Sequence, residues 1–240
     1  MEKKYELTGE TLIHCGHILC RIKALRNFGG IKAGNLGGWI EKEGNLSHED
    51  NCWVSDEAKV FGNAKVLGNA RVGAQAEVCN SACVFEYAMV YGHAQVLSNA
   101  MVYGHVMVSD NAIIYSDAQV YGNALIYGNA LIYGNALIYG NAQVCGYTRV
   151  YGDAQVCDDA RVYGNADICG YTMVKSDKDY AVFKNFWSSG RYFTWTRSND
   201  MWKVGCFYGT GEELIAKAYK DSKESGDKYK AIVKAMEVLK

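Results

Sequence analysis

Proline is missing from all 240 residues of the chain. Backbone N–H donors are therefore never interrupted, which suits strands with neighbours on both sides. Long apolar runs are also missing: none reaches the ~18 residues of a membrane span. The opening MEKKYELTGE lacks the apolar core of a signal peptide, so a bacterial cytoplasm, native or infected, is the expected location. Neither charge dominates, with 25 Lys+Arg against 26 Asp+Glu. That balance, with no basic stripe, gives no attraction to nucleic acid or anionic membrane. Disorder is excluded by a hydrophobic content of 49%. There is no P-loop, no G-x-G-x-x-G after a strand, no G-x-S-x-G and no acidic pair arranged for catalysis. Nine cysteines, an odd number, fit reduced thiols better than a disulfide framework.

The chain is rich instead in Gly (26) and Tyr (18), most of the Tyr within a recurring phrase, YGNA. Stepping by six from Val54 to Val174 meets Val or Ile at all 21 positions, without insertion. Stepping by six from Ala58 to Thr172 meets Ala at 17 of 20, with Val106, Thr148 and Thr172 the exceptions. Six matches no helix of 3.6 residues per turn, but it matches a short strand and a tight corner repeated. Side chains alternate along a strand, so Ala58 and Val60 share a face and their neighbours point outward. The Gly-Asn pair is expected at the corner, since both residues tolerate left-handed backbone.

Three hexads closing a triangular coil of 18 residues form the hexapeptide-repeat solution. The string KAGNLGGWIEKEGNLS, followed by CWVSDEAKVFGNAKV, resembles the start of hexapeptide-repeat proteins of bacteria and phages, which carry a GGW-type cap before their coils. Such proteins are commonly called transferases. The resemblance implies an all-β, left-handed parallel β-helix of about seven coils, and a prism roughly 34 Å long at ~4.8 Å per coil. It also implies phage or prophage origin and side-by-side trimers. It carries no catalytic residue to this chain.

Stacking by 18 sorts the outward side chains into ladders. The middle coils are apolar outside as well as inside, and no charged residue lies from Ala118 through Thr148. A monomer rarely exposes so wide an apolar patch. Met107, Ile113, Tyr115, Tyr121, Leu125, Tyr127, Leu131, Tyr133, Leu137 and Tyr139 are the expected interface between copies. Stacked Tyr ladders stabilising the coil by themselves are the competing explanation.

The flanks lack the hexad register. Residues 1–53 read as a hairpin around Cys15-Gly16-His17 and a cap in which Trp39, Ile40 and Trp53 cover the first coil of the 54–175 prism. Residues 176–240 read as an α+β module. DYAVFKNFW, GRYFTWTR and MWKVGCFYG are three expected strands, with Ser198-Asn199-Asp200 turning the last hairpin. Thr210-Gly211-Glu212-Glu213 is a capping box opening a helix to about Ser222. Ser225-Gly226-Asp227 is the expected break before a second helix, Lys228–Lys240, with Tyr229, Ile232, Val233, Met236 and Leu239 inward. The module either caps the last coil or grips a partner or small ligand through Arg191, Trp195, Arg197 and Trp202, residue types that dominate binding energy.

His93 and His105 are the only His in the coils, each replacing a corner Asn. They are structural substitutions, or the general base if the chain is a coenzyme A-dependent acyltransferase. His14, Cys15, His17 and Cys20 are compact, but strand alternation separates them, so no metal site is expected. Cys79, Cys145, Cys157 and Cys169 take outward slots as small apolar filler. The expected function is a non-enzymatic, oligomeric scaffold or interaction protein without a cofactor. Its partners are other copies of itself and a host protein or small ligand, with inhibition of host defence as one form. Acyl transfer is the alternative, although no loop interrupts the coils.

Overall fold

A computed structural model describes residues 2–187 and 189–240. The Val/Ile period becomes a parallel β-solenoid. Strands β1 (Tyr5–His14), β2 (His17–Ala24) and β3 (Leu36–Ile40) precede 21 two-residue strands, β4 (Trp53–Val54) to β24 (Met173–Val174). These 21 stack in three sheets with parallel partners 18 residues apart, as Val90↔Val108 and Ile114↔Ile132. Wall A runs through Val60, Ile114 and Ile168; wall B through Val54, Val108 and Val162; wall C through Val66, Val120 and Val174. Every Val and Ile of the step is fully buried, with every Ala of the second step beside it. The core is thus one continuous column. Full burial of each such side chain stabilises the fold by about 1.5–3 kcal/mol.

Corners have a rule finer than the sequence indicated. The left-handed residue is always the first of the pair: from position 56 to position 170 every sixth residue has positive φ. Gly occupies twelve of these positions; Asp56, Ala74, Asn80, Glu86, Ser98, Asp110, Ser116 and Asp158 hold the rest. The following Asn is not left-handed. Its work is lateral: Asn99 donates to Asp117 (3.0 Å), Asn123 to Asn141 (3.2 Å) and Asn141 to Asp159 (3.0 Å), each across one coil.

The N-terminal cap joins the prism earlier than Val54. Trp39 and Ile40 pair in parallel with Lys59 and Val60, and Leu46 bridges Val66. This first partial coil is masked in the sequence, because Leu46 and Val54 lie eight residues apart instead of six. The β1–β2 hairpin turns at Cys15-Gly16 and extends wall A. Lys4 is fully buried, its ammonium held by the carbonyls of Glu49 (3.1 Å) and Cys52 (2.9 Å). Burial pulls that amine below the usual lysine range.

The C-terminal module has four strands where the sequence indicated three: β25 (Tyr180–Lys184), β26 (Tyr192–Thr196), β27 (Met201–Val204) and β28 (Phe207–Gly209). MWKVGCFYG is itself a hairpin, turning at Gly205-Cys206 with Gly205 at φ +55°, and Gly in the first turn position is a recognised hairpin signal. Helices α1 (Gly211–Asp221) and α2 (Lys223–Leu239) cover the sheet, with the Thr210–Glu213 capping box in place. The helix break falls at Ser222, not at 225–227. Gly226 lies within α2, because a Cβ there would collide with the Tyr219 ring. Of the inward set, Val233 and Met236 are buried, whereas Leu239 is exposed.

The module closes the last coil. Asp167 N–H donates to Thr194 Oγ1 (2.9 Å), Met173 N–H to Ser198 Oγ (2.8 Å), and the Tyr180 hydroxyl to Arg161 O (3.0 Å). Tyr180 and Val182 pack on the prism core. No helix among the described residues is long and apolar enough to cross a membrane.

The corner rule is testable at Gly122, where φ is +78° and a Cβ would meet Gly140 N and O at 3.0 Å. Gly122→Ala is expected to cost at least about 1–2 kcal/mol for the left-handed backbone alone. Asn123→Ala, losing one exposed amide hydrogen bond, costs about 1 kcal/mol or less. Urea midpoints followed by circular dichroism rank the two.

Candidate functional site

The three walls differ outside. On wall C the outward columns read Lys65, Cys83, Met101, Gln119, Leu137, Gln155, Met173 and Leu67, Phe85, Tyr103, Tyr121, Tyr139, Cys157, Lys175, with a lysine at each end and no charge between. Four rings stack along it: Phe85–Tyr103 (4.7 Å), Tyr103–Tyr121 (5.1 Å) and Tyr121–Tyr139 (5.1 Å), each pair within 8° of parallel. All are half-buried, each ring covered by its neighbours on the ladder. Wall B is apolar over its middle coils, with Met89, Met107, Leu125, Tyr91 and Tyr127, and basic at Arg71 and Arg161. Wall A holds the ladder Tyr115–Tyr133–Tyr151 but also Glu77, Arg149 and Asp167. Its first coils are covered: Leu12 and Leu19 of the hairpin pack with Phe61, Cys79 and Leu97.

The ten expected interface residues therefore split. Tyr121, Leu137 and Tyr139 lie on wall C; Met107, Leu125 and Tyr127 on wall B; Ile113, Tyr115, Leu131 and Tyr133 on wall A. Met107 and Tyr127 are the most exposed, at 40% and 37%.

The ladder ends on cysteine, and this alters the phenols. The Cys157 thiol beside Tyr139, with burial, pushes its hydroxyl up to about 12. Burial, then the Cys169 thiol, raises Tyr151. Burial raises Tyr103 and Tyr133. These cysteines are more than filler: Cys157 and Cys169 are buried under the phenols that precede them by one coil.

His93 and His105 are exposed at corners. His93 stands between walls B and A. His105 stands between walls C and B, stacked on Tyr87 at 4.8 Å. Their column is the one without left-handed backbone, so corner strain does not explain them. Neither imidazole has a side-chain hydrogen bond to orient it among the described residues, and the two lie on different edges.

At the hairpin tip, His14 Nε2 lies 3.0 Å from Glu77 and His17 Nδ1 2.9 Å from Glu41. Cys15 sits in the turn, exposed, at φ +49°. No group of three or more His, Cys, Asp or Glu spaced for a metal occurs among the described residues.

In the C-terminal module the tryptophans of the expected binding set are core. Trp195 and Trp202 are each 2% exposed and pack with Phe193, Val204, Leu214 and Met236. A ~65-residue module needs its largest side chains inside to be stable. They are therefore not a surface anchor, and Trp195 spends its N–H on Asp200 (2.7 Å). Arg191 and Arg197 remain exposed.

Comparison with known proteins agrees with the coils. The family described as YdcK Beta solenoid repeat matches residues 118–131, 130–146 and 154–170. Those three segments, all within the prism, resemble YdcK-type β-solenoid repeats. A stretch of 40 residues is 42% identical to the uncharacterized acetyltransferase YdcK of Escherichia coli K12. It covers 17% of this chain and 12% of that protein.

The raised phenols set a pH dependence. A tyrosine that ionises near 10 when unfolded but near 12 in the fold, as Tyr139 does, keeps its proton longer when folded. The folded state then binds more protons, so this stability is complete below pH ~10 and is lost as pH rises through about 12. Ultraviolet titration of the phenols, beside unfolding midpoints at pH 9 and 11, is expected to show delayed ionisation and a falling midpoint.

Proposed function

We propose that this chain is a non-enzymatic scaffold: a rigid prism that self-associates and holds its C-terminal modules in fixed geometry. The observation that carries the reading is wall C, whose five middle rungs carry no outward charge and hold a ladder of four stacked rings. Apolar area of this extent gains stability when covered, and specific interfaces bury about 800 Å² per partner. A ring of three requires two different surfaces on each copy. Walls C and B meet at the corner of Tyr87, His105 and Asn123, and both are apolar at mid-height. Three prisms pointing that edge at a common axis make wall C of one face wall B of the next across a wedge that closes at the edge. Tyr121, Leu137, Tyr139, Met107, Leu125 and Tyr127 then lie in the contact. Ile113, Tyr115, Leu131 and Tyr133 remain outside on wall A, the side that carries the hairpin. Phage origin, and inhibition of a host defence protein, rest on the likeness of the cap string alone.

The second reading is coenzyme A-dependent acyl transfer, favoured by the naming of the YdcK relative. Against it stand coils without an interrupting loop and two unoriented imidazoles. In the trimer His105 faces the axis while His93 faces solvent, so His105 is the better placed base of the two.

Light scattering of the full chain is expected to give three copies. Tyr121→Lys, placing a charge within the contact, is expected to yield monomers with an unchanged circular dichroism spectrum. A wild-type monomer contradicts the scaffold reading. Acetyl-coenzyme A is expected to leave the melting temperature unmoved. A rise that disappears in the His93→Asn, His105→Asn double variant transfers the case to the enzyme.

A further inference from the structure

Wall A meets the C-terminal module at its last coil, where Asp167 N–H donates to Thr194 Oγ1. A cleft of about 380 Å³ lies there, lined by Asn129, Leu131, Tyr147, Arg149, Asn165 and Asp167 of the prism and by Arg191, Tyr192 and Gly205 of the module. Ligand cavities for small molecules begin at about 300 Å³. A cavity of similar size inside the module is lined by Asp200, Glu212 and Glu237, and its Lys240 is already paired with Asp200 at 2.6 Å.

The cleft is built by the 18-residue repeat. Asn129, Tyr147 and Asn165 are successive rungs of one corner; Leu131, Arg149 and Asp167 are successive rungs of wall A beside it. Arg149 lies on Asp167 in a two-point fork, through Nε and Nη2, both at 2.5 Å. That fork fixes the guanidinium plane and leaves Nη1 free. Its charge is cancelled by Asp167. Arg191 is different: it is exposed and has no carboxylate within ion-pair distance among the described residues. The cleft therefore carries one net positive charge on a group able to take an anion through two parallel hydrogen bonds. Tyr147, 67% exposed, and Tyr192 both line the space. Each can offer its ring to a planar group.

We infer that this cleft binds a small aromatic acid, its carboxylate or phosphate on Arg191 and the free edge of Arg149, its ring against Tyr147 and Tyr192. The amides of Asn129 and Asn165 offer hydrogen bonds to ring substituents, and Leu131 supplies an apolar floor. The cleft lies on wall A and on its edge with wall B, not on the edge shared by walls B and C.

Isothermal titration of the full chain tests this with 4-hydroxybenzoate, phenyl phosphate, cyclohexanecarboxylate and the neutral benzyl alcohol. Binding is expected for one of the two aromatic anions, and which binds tighter assigns the anion as carboxylate or phosphate. Benzyl alcohol and cyclohexanecarboxylate are expected to bind at least tenfold more weakly. Arg191→Ala removes a charge-assisted pair and is expected to weaken binding about tenfold or more. Tyr147→Ala is expected to weaken it severalfold. Arg197→Ala, the same charge change outside the cleft, is expected to leave it unchanged, and circular dichroism checks that each variant folds. Equal affinity for benzyl alcohol, no heat from either aromatic anion at millimolar concentration, or an Arg191→Ala variant that binds like wild type overturns the inference.

Discussion

The solenoid depends on one constraint: a backbone residue with positive φ after each outward neighbour of a core Val or Ile. That single left-handed step turns the chain between walls and brings the next Ala inward. Because it recurs without insertion from position 56 to position 170, each coil lies over the last with the same side chains in register. Inter-coil hydrogen bonds, Val columns, Asn ladders and ring ladders all follow from that repeat. The eight corners without Gly show that the geometry is enforced by the stack, since isolated chains hold non-Gly residues there only at a cost.

Regular stacking also decides the surface. Any residue type repeated every 18 positions becomes a stripe along the prism. Tyr and apolar residues in the middle hexads leave walls C and B uncharged at mid-height, with basic residues only near their ends, whereas Arg149 and Asp167 give wall A a polar end. The caps then set what is free. The hairpin covers the start of wall A, and the module covers the last coil. Both ends of the core column are closed, so end-to-end growth, the hazard of an open sheet edge, is blocked.

The prism was legible because its signal is periodic and uninterrupted from Val54. Leu46 was illegible as a core position because the eight-residue step to Val54 breaks the count. Lys4 gave no sign of burial, since its carbonyl partners come from a loop more than 40 residues away. In the module, the pattern of Trp195 and Trp202 fitted a binding face as well as a core, and module size decided it. Gly226 looked like a helix breaker, but close approach to Tyr219 made it a packing residue. The candidate site was less legible than the fold. Arg191 was identifiable as an exposed cation. Its companions Tyr147 and Arg149 belong to a different unit, and only the docking of the module on the prism brings them together.

In the proposed assembly wall C of one copy faces wall B of another. Replacing Tyr121 by photoreactive benzoylphenylalanine, irradiating the full chain and mapping the linked peptides tests it most directly. An intermolecular link to the wall B segment around Met107, Leu125 and Tyr127 is expected. A chain that remains unlinked, or one joined to its neighbour through wall A, contradicts it.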